Sequence, residues 1–405
     1  MSLLAINGGA PVRETAYPKW PVYGDKEREA LNRVLESGVW GTLGNEVKEF
    51  NKRFAEYQGA KYGVAVANGT VSLEIILRAL EIGPGDEVIV PPYTFNATVS
   101  SVLMAGATPV FADIEADTFN IDPAGIEKHI TEYTKAIMPV HIGGRPCDMD
   151  AILAVAAKHR LFVIEDAAQA CAAQWKGAKA GSIGDAGSFS FQASKNLTAG
   201  EGGFITTNDE ALYDRCFSIH HCGRDMKNGL WYDHPHLGTN ARMTEWQAAI
   251  LNVQMERLDS QLETRMDNAA YLTRRLKEIP FVATLREDER ITRNAYHLYI
   301  FRYFADKNRG VTREKFLEAL KAEGIPCAPG YVRLYRQGML RSPLAKRILR
   351  PGTSYDNLLL ENTEKACCEE GVWLFQYMLL GTHKDMDDIA DAIIKIGENT
   401  DELPG

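Results

Sequence analysis

From Tyr62 to Phe191, short β-rich runs alternate with helical stretches, and this alternation restricts the fold more than any other feature of the chain. GVAVA (63–67) has strand character, and NGTVSLEIILRALEI reads as the helix after it. EVIVP (87–91), FNATVSSVLMAG, TPVFADI, DPAGIEKHI, KAIMPVH, DMDAILAVAAKHR, LFVIEDAA and SFSF continue the series. Apolar strands separated by amphipathic helices predict an α/β fold whose central sheet is mainly parallel and covered on both faces. Ligands of such sheets bind beyond the carboxyl ends of the strands, so chemistry is sought in the loops that lead into the helices.

A chain of 405 residues exceeds what one small core organises and suggests two domains. The periodic segment 244–276 reads as one extended helix joining two lobes. Beyond it, HLYIFRYF (297–304), REKFLEALKAEG and DMDDIADAIIKIGENT predict a smaller α/β domain. The expected division is a large domain over 1–260, N-terminal segment included, and a small one over 261–405.

A formal charge of −9 disfavours nucleic acid or an anionic membrane as the main partner, since both reward basic surfaces. No apolar run has the length that spans a bilayer. The N-terminus shows no basic start followed by a long apolar stretch, so no secretory signal is read there. The seven cysteines form no Cys-x-x-Cys pair and their odd number does not suit a disulfide framework, which leaves the cytoplasm as the expected compartment.

Lys195 lies in SFSFQASKNLTAGEGGFITT, between two β-like runs. A lone lysine is ordinarily a solvated surface charge, but a long cation between strands is costly unless it has a task. Desolvation lowers a lysine pKa and makes the amine nucleophilic toward an aldehyde. Asp166 closes the strand LFVIEDAAQA. A carboxylate there can pair with a protonated pyridine nitrogen, although capping the next helix is the commoner duty of such an aspartate. Gln169, one turn on, can donate to a ring hydroxyl or pack nearby. Asn68-Gly69-Thr70 follows a strand and opens a helix, where free amides and the helix dipole favour a phosphate; a plain turn with a cap accounts for the same letters. Ser190 adds a hydroxyl from the strand before Lys195. Phe95 starts a helix and can stack on a ring or sit in the core. Asn240 alone reads as a loop or cap asparagine.

The histidines show no zinc spacing, so no metal is expected. GEGG (200–203) is not followed by Gly-Lys-Ser/Thr, and no GxGxxG opens a helix after the first strand, so nucleotide hydrolysis and dinucleotide binding are poor readings.

Taken together, NGTVSLEIILRALEIGPGDEVIVPPYTFNAT, FADI, IMPVH, VIEDAAQA, GSFSFQASKNLTAGEGG and TNARMTEWQAA resemble the DegT–StrS family of sugar aminotransferases that depend on pyridoxal 5'-phosphate (PLP). The resemblance extends in order over nearly the whole chain. It implies the aspartate-aminotransferase-like fold (PLP fold type I) and a homodimer with shared active sites. It makes Lys195 the Schiff-base residue and Asp166 the partner of the pyridine nitrogen. Gly69, Thr70 and Ser190 become phosphate contacts, Phe95 the stacking aromatic, Gln169 the glutamine beside the ring, and Asn240 an asparagine reaching the phosphate from the other subunit. Many relatives that act on nucleotide-linked sugars have histidine at the position of Gln192. The version here is more similar to the branch of scyllo-inosose aminotransferases and 3-amino-5-hydroxybenzoate synthase. That branch implies L-glutamine or L-glutamate as donor and a cyclic ketone, a keto-cyclitol or keto-sugar, as acceptor. Gln192 and Tyr335 are the expected substrate contacts. The alternatives are an aromatising dehydratase of the aminohydroxybenzoate type and a non-catalytic regulatory protein on the same fold.

Overall fold

The computed structural model describes residues 3–41, 44–225 and 232–403. Helices α1 (Asp25–Ser37) and α2 (Asn45–Gln58) lead into β1 (Tyr62–Val66), α3 (Gly69–Ala79), β2 (Glu87–Val90), α4 (Ala97–Met104) and β3 (Thr108–Phe111). Then come α5 (Pro123–Ile126), β4 (Thr134–Ile137), α6 (Met149–His159), β5 (Phe162–Asp166), the short β6 (Gln174–Trp175) and β7 (Ala178–Lys179), β8 (Ala186–Ser190), β9 (Gly203–Thr207) and α7 (Glu210–His220). The main sheet has seven strands in the order β1-β9-β8-β5-β4-β2-β3. Its pairs from β8 to β3 are parallel, and β9 runs against both of its neighbours.

The letters of β2 explain why the sheet is covered on both sides. Val88 and Val90 point into one apolar cluster, with Ile76 and Val102, while Ile89 between them points into another, with Ile137 and Ile152. Alternate residues of a strand face opposite sides, so a run without polar letters belongs between two helical layers. The mainly parallel sheet expected from the alternation is the one observed.

The segment read as one long helix is two, α8 (Glu245–Gln254) and α9 (Leu258–Leu276), separated by a 3-10 turn at Met255–Arg257. Arg257 leaves helical geometry (φ −109°, ψ 0°) as its guanidinium reaches the Val22 carbonyl at 3.1 Å and the Glu27 carboxylate. A tertiary contact overrides a local period that runs straight through the break.

Beyond α9 come β10 (Val282–Thr284), β11 (Ile291–Arg293), β12 (Leu298–Tyr303), α10 (Arg313–Ala322), α11 (Pro343–Ile348), α12 (Glu361–Lys365), β13 (Gly371–Phe375) and α13 (His383–Glu398), from which the smaller lobe is largely built. Strands β10, β12 and β13 form its antiparallel sheet. The stripe Met386, Ile389, Ala390, Ile393 and Ile396 on α13 packs in one core with Ala269, Leu272 and Leu276 of α9, the helical spacing expected of a half-buried helix.

From the N-terminal segment, Leu4 and Tyr17 lie in this same core, and Arg13 pairs with Asp385 and Asp388 at 2.7 Å each. Conversely Leu334, Leu340, Ala345, Tyr355 and Leu360 join the core of the large sheet. There the Tyr355 hydroxyl donates to the Pro109 carbonyl at 2.6 Å, and the Arg350 amide donates to Thr108 Oγ1 at 3.0 Å. This excursion covers the edge strand β3, whose open backbone would otherwise invite pairing. Strand β11 likewise pairs with β6.

Candidate active site

The carboxyl ends of β1, β2, β4, β5 and β8 gather the residues singled out in the sequence. Adjacent residues of β5 point to opposite faces and serve different ends. The buried carboxylate of Glu165 accepts amides from Gly181, Ile183 and Gly184 at 2.7–2.8 Å and the ring of His141 at 2.9 Å. His141 Nδ1 accepts the Cys147 amide at 3.0 Å, so its proton sits on Nε2, toward Glu165. Asp166, the next residue, receives the Thr98 hydroxyl on Oδ2 at 2.8 Å and the Ala168 amide on Oδ1 at 3.2 Å. Burial pushes the Asp166 carboxyl above its usual range; the Thr98 hydroxyl, the Ala168 amide and the charge of Lys195 pull the other way. An acid in this balance gains its charged form when a cation is set against it.

Lys195 follows β8 in a turn closed by its own amide on the Gln192 carbonyl at 2.9 Å. Desolvation brings its amine down to about 8, opposed by attraction to Asp166. His297 stands on the small-lobe side, its Nδ1 3.3 Å from Asn196 Oδ1, and burial and the charge of Lys195 keep it neutral.

At the other end of the site Asn68 caps α3 by accepting the Val71 amide at 2.9 Å. The amides of Gly69 and Thr70 open the helix, where no intrahelical partner exists for them. A side chain at Gly69 would come within 2.9 Å of Ser190 Cβ, and one at Gly203 within 2.3 Å of the Asn68 carbonyl carbon and 2.7 Å of the Gly69 nitrogen. Two glycines thus let the helix start, β8 and β9 approach one another and form a cradle that any Cβ would fill. Gly203→Ala is expected to displace the start of α3, at the ~1–3 kcal/mol of overpacking, and to weaken PLP uptake about 5–150-fold. Titrating the cofactor-free variant measures this, and an unchanged affinity would show that the close approach is dispensable.

Gln169 is fixed from two sides: Oε1 accepts the Gly143 amide at 2.7 Å, and Nε2 donates to the Tyr331 hydroxyl at 2.9 Å. Phe95 precedes α4, in which Thr98 bonds Asp166, and is 57% exposed. Amine, acid, anion cradle and uncovered ring are the complement of a flat, phosphorylated heterocyclic aldehyde, and the residues fit PLP.

The structure therefore brings together Lys195, Asp166, Gln169, Gly69, Thr70, Ser190 and Phe95. Gln192 is exposed on the Lys195 turn, with Oε1 accepting the Ser194 amide at 2.9 Å. Asn240 is exposed and bridges to the backbone of His221, outside this cluster. Tyr335, expected at the substrate, is instead 0% exposed: its ring packs edge-on against Phe111 and its hydroxyl donates to Glu364 at 2.6 Å. The tyrosine of this segment that reaches the site is Tyr331. Neither Tyr331 nor Thr98 was singled out beforehand. A hydroxyl one turn past Phe95 was a usable signal for Thr98; nothing local marks Tyr331.

Comparison with known proteins follows the same lines. The model of the DegT/DnrJ/EryC1/StrS aminotransferase family matches residues 21–393. The chain is 39% identical over 413 residues to a Streptoalloteichus tenebrarius protein provisionally named an L-glutamine:3-amino-2,3-dideoxy-scyllo-inosose aminotransferase, covering 99% of each chain. Among solved structures it is similar to 3-amino-5-hydroxybenzoic acid synthase, with TM-score 0.88, 34% identity, and 96% of this chain and 100% of that one covered. It is also similar to a Streptococcus pneumoniae protein provisionally described as a sugar aminotransferase and solved in its PLP form, with TM-score 0.82, 28% identity, and 97% and 100% covered.

Proposed function

Because the chain belongs to the DegT/DnrJ/EryC1/StrS aminotransferase family, we propose that it transfers the amino group of L-glutamine or L-glutamate to a keto-cyclitol or keto-sugar with Lys195 as its central residue. The observation that carries this reading is the desolvated Lys195 amine, held at about 8, coupled to the buried carboxylate of Asp166. PLP, when bound, supplies an electron-withdrawing ring that stabilises negative charge at the donor's α-carbon and holds the nitrogen between donor and acceptor.

The chain's own residues do the rest. Lys195 Nζ would hold the cofactor at its aldehyde carbon, and as a free amine it would take the proton from the donor's α-carbon and return it, as general base and then acid. The Asp166 carboxylate keeps a proton on the ring nitrogen. The amides of Gly69 and Thr70, with the Thr70 and Ser190 hydroxyls, bind the phosphate. Phe95 would stack on the ring, and Gln169 Nε2, already oriented by Tyr331, would have a second hydrogen to give to the ring hydroxyl. Gln192, exposed next to Lys195, meets the incoming substrate. Asn240, on the surface of its own chain, suits a contact to the phosphate of a second copy, so the working form is a homodimer with shared sites.

Among the described residues no helix is long and apolar enough to cross a membrane. The seven cysteines are all free, which suits a reducing compartment, the cytoplasm.

The half-reactions are separable. Holoenzyme mixed with L-glutamine or L-glutamate alone is expected to convert the cofactor to its amine form, read as loss of long-wavelength absorbance. A keto-inositol or a nucleotide-linked keto-hexose should restore it. Silence with every amino acid would sink the transfer, and loss of water from the ring without net amino exchange would point to an aromatising dehydratase.

A further inference from the structure

We propose a second binding site, for a small oxyanion-bearing metabolite, in the cavity between the 142–145 turn of the large lobe and α9 and β12 of the small lobe. The cavity measures about 220 Å³, and Arg145, Thr273, Arg274, Thr284 and Tyr296 are among the residues that line it. That volume is below the range of drug-sized ligands and suits a phosphate or a short carboxylate.

Arg145 carries the inference. It is 8% exposed, and its Nε has no hydrogen-bond partner. Among the described residues its guanidinium enters no ion pair. Burial holds it below its usual pKa, and the acids around it are committed elsewhere. Glu115 and Asp117 take Arg286 at 3.0 and 3.4 Å, Asp288 takes Arg290 at 2.7 Å, and Glu287 takes Lys277 at 2.8 Å. Arg274, across the cavity on α9, lies over the Tyr271 ring at 5.5 Å and has no carboxylate partner among the described residues. Once these pairs are subtracted, the cavity keeps the buried Arg145 guanidinium without a carboxylate, and the solvent-exposed Arg274 of α9 also lines it. A buried guanidinium left unpaired costs several kcal/mol, and its planar fork matches carboxylate or phosphate oxygens.

The location gives the ligand a consequence. The Arg145 amide closes the turn on the Ile142 carbonyl at 2.9 Å, and within that turn the Gly143 amide holds Gln169. Arg274 belongs to the other lobe. An oxyanion held by both arginines would tie the lobes together at the turn whose Gly143 amide holds Gln169.

Calorimetric titration of the full-length holoenzyme tests this, because with PLP in place the phosphate cradle at Gly69 is occupied. The probes are inorganic phosphate and succinate, each against sodium chloride at matched ionic strength, and they separate the two sources of oxyanion. One of them is expected to bind saturably to the wild type. Arg145→Gln should weaken it about 10–100-fold, the worth of a charge-assisted hydrogen bond, with cofactor absorbance unchanged. Should Arg145→Gln fail to fold, Arg274→Gln must weaken binding. Absence of saturable binding by either probe, or wild-type affinity in the variant that folds, overturns the site. No turnover enters the measurement, so its failure leaves the aminotransferase reading untouched.

Discussion

Lys195→Ala should lower turnover by at least about 10⁴-fold while leaving a folded protein that still holds PLP. The amine has two tasks, anchoring the aldehyde and moving the α-proton; positioned acid–base catalysis alone contributes about 10²–10⁴-fold, and loss of the activated nucleophile adds to it. Desolvation is what equips this lysine. With its amine at about 8, roughly a tenth of the population is uncharged at pH 7, against fewer than about one in a thousand for an ordinary lysine. The sign follows from the shift: the reactive form grows as pH rises through about 8 and is lost below it. The cradle at Gly69 and the Asp166 carboxylate are separate from Lys195, so the variant should retain cofactor through dialysis, now without a covalent bond. Stopped-flow absorbance with L-glutamine gives the rate, and ordinary turnover in the alanine variant would remove the basis of the assignment.

Asp166→Asn is expected to cost about 10²–10⁴-fold in kcat with little loss of thermal stability. An amide has the same shape and can keep the Thr98 and Ala168 contacts, but it cannot hold a proton on the ring nitrogen. Removing one member of a buried charge pair costs about 3–5 kcal/mol, which converts to that range of rate. In the cofactor-free protein the balance runs the other way: burial opposes the charge on Asp166, so a neutral amide is the cheaper occupant and melting should not fall. A kcat within about threefold of wild type would remove Asp166 from the chemistry. Loss of activity together with loss of folding would make it a structural acid, and Asp166→Glu, which restores charge without the shape, would then fail to recover the rate.

What the sequence discloses is local. The letters of EVIV, in register with two clusters at once, announce a strand between two helical layers. Asn68-Gly69-Thr70 at a helix start marks the cradle, whereas the need for glycine at 203 shows only in its close approach to the Asn68 backbone. Asp166 and Lys195 are visible because charged side chains at the ends of apolar strands need a reason. What the letters conceal is non-local. Tyr331 meets Gln169 across 162 residues, and no period or spacing encodes that meeting. Tyr335, four residues on, is drawn inward by Phe111 and Glu364 instead of toward the ligand. The break between α8 and α9 depends on Glu27 and Val22, over two hundred residues earlier in the chain, and the periodicity of the segment is blind to it. Membership of a core is hidden for the same reason: Leu4 and Tyr17 pack with α9 and α13, while Leu334 and Tyr355 pack against the large sheet.

The exchange of segments between the lobes limits how the small lobe can move against the large one. Backbone passes from one lobe to the other after the N-terminal segment, at α9, and on both sides of the excursion that caps β3. No single severed peptide bond would free the small lobe, and no single pivot can swing it. Any displacement of the small lobe would therefore have to be shared among these passages, as in the shear mode of domain movement and unlike a hinge.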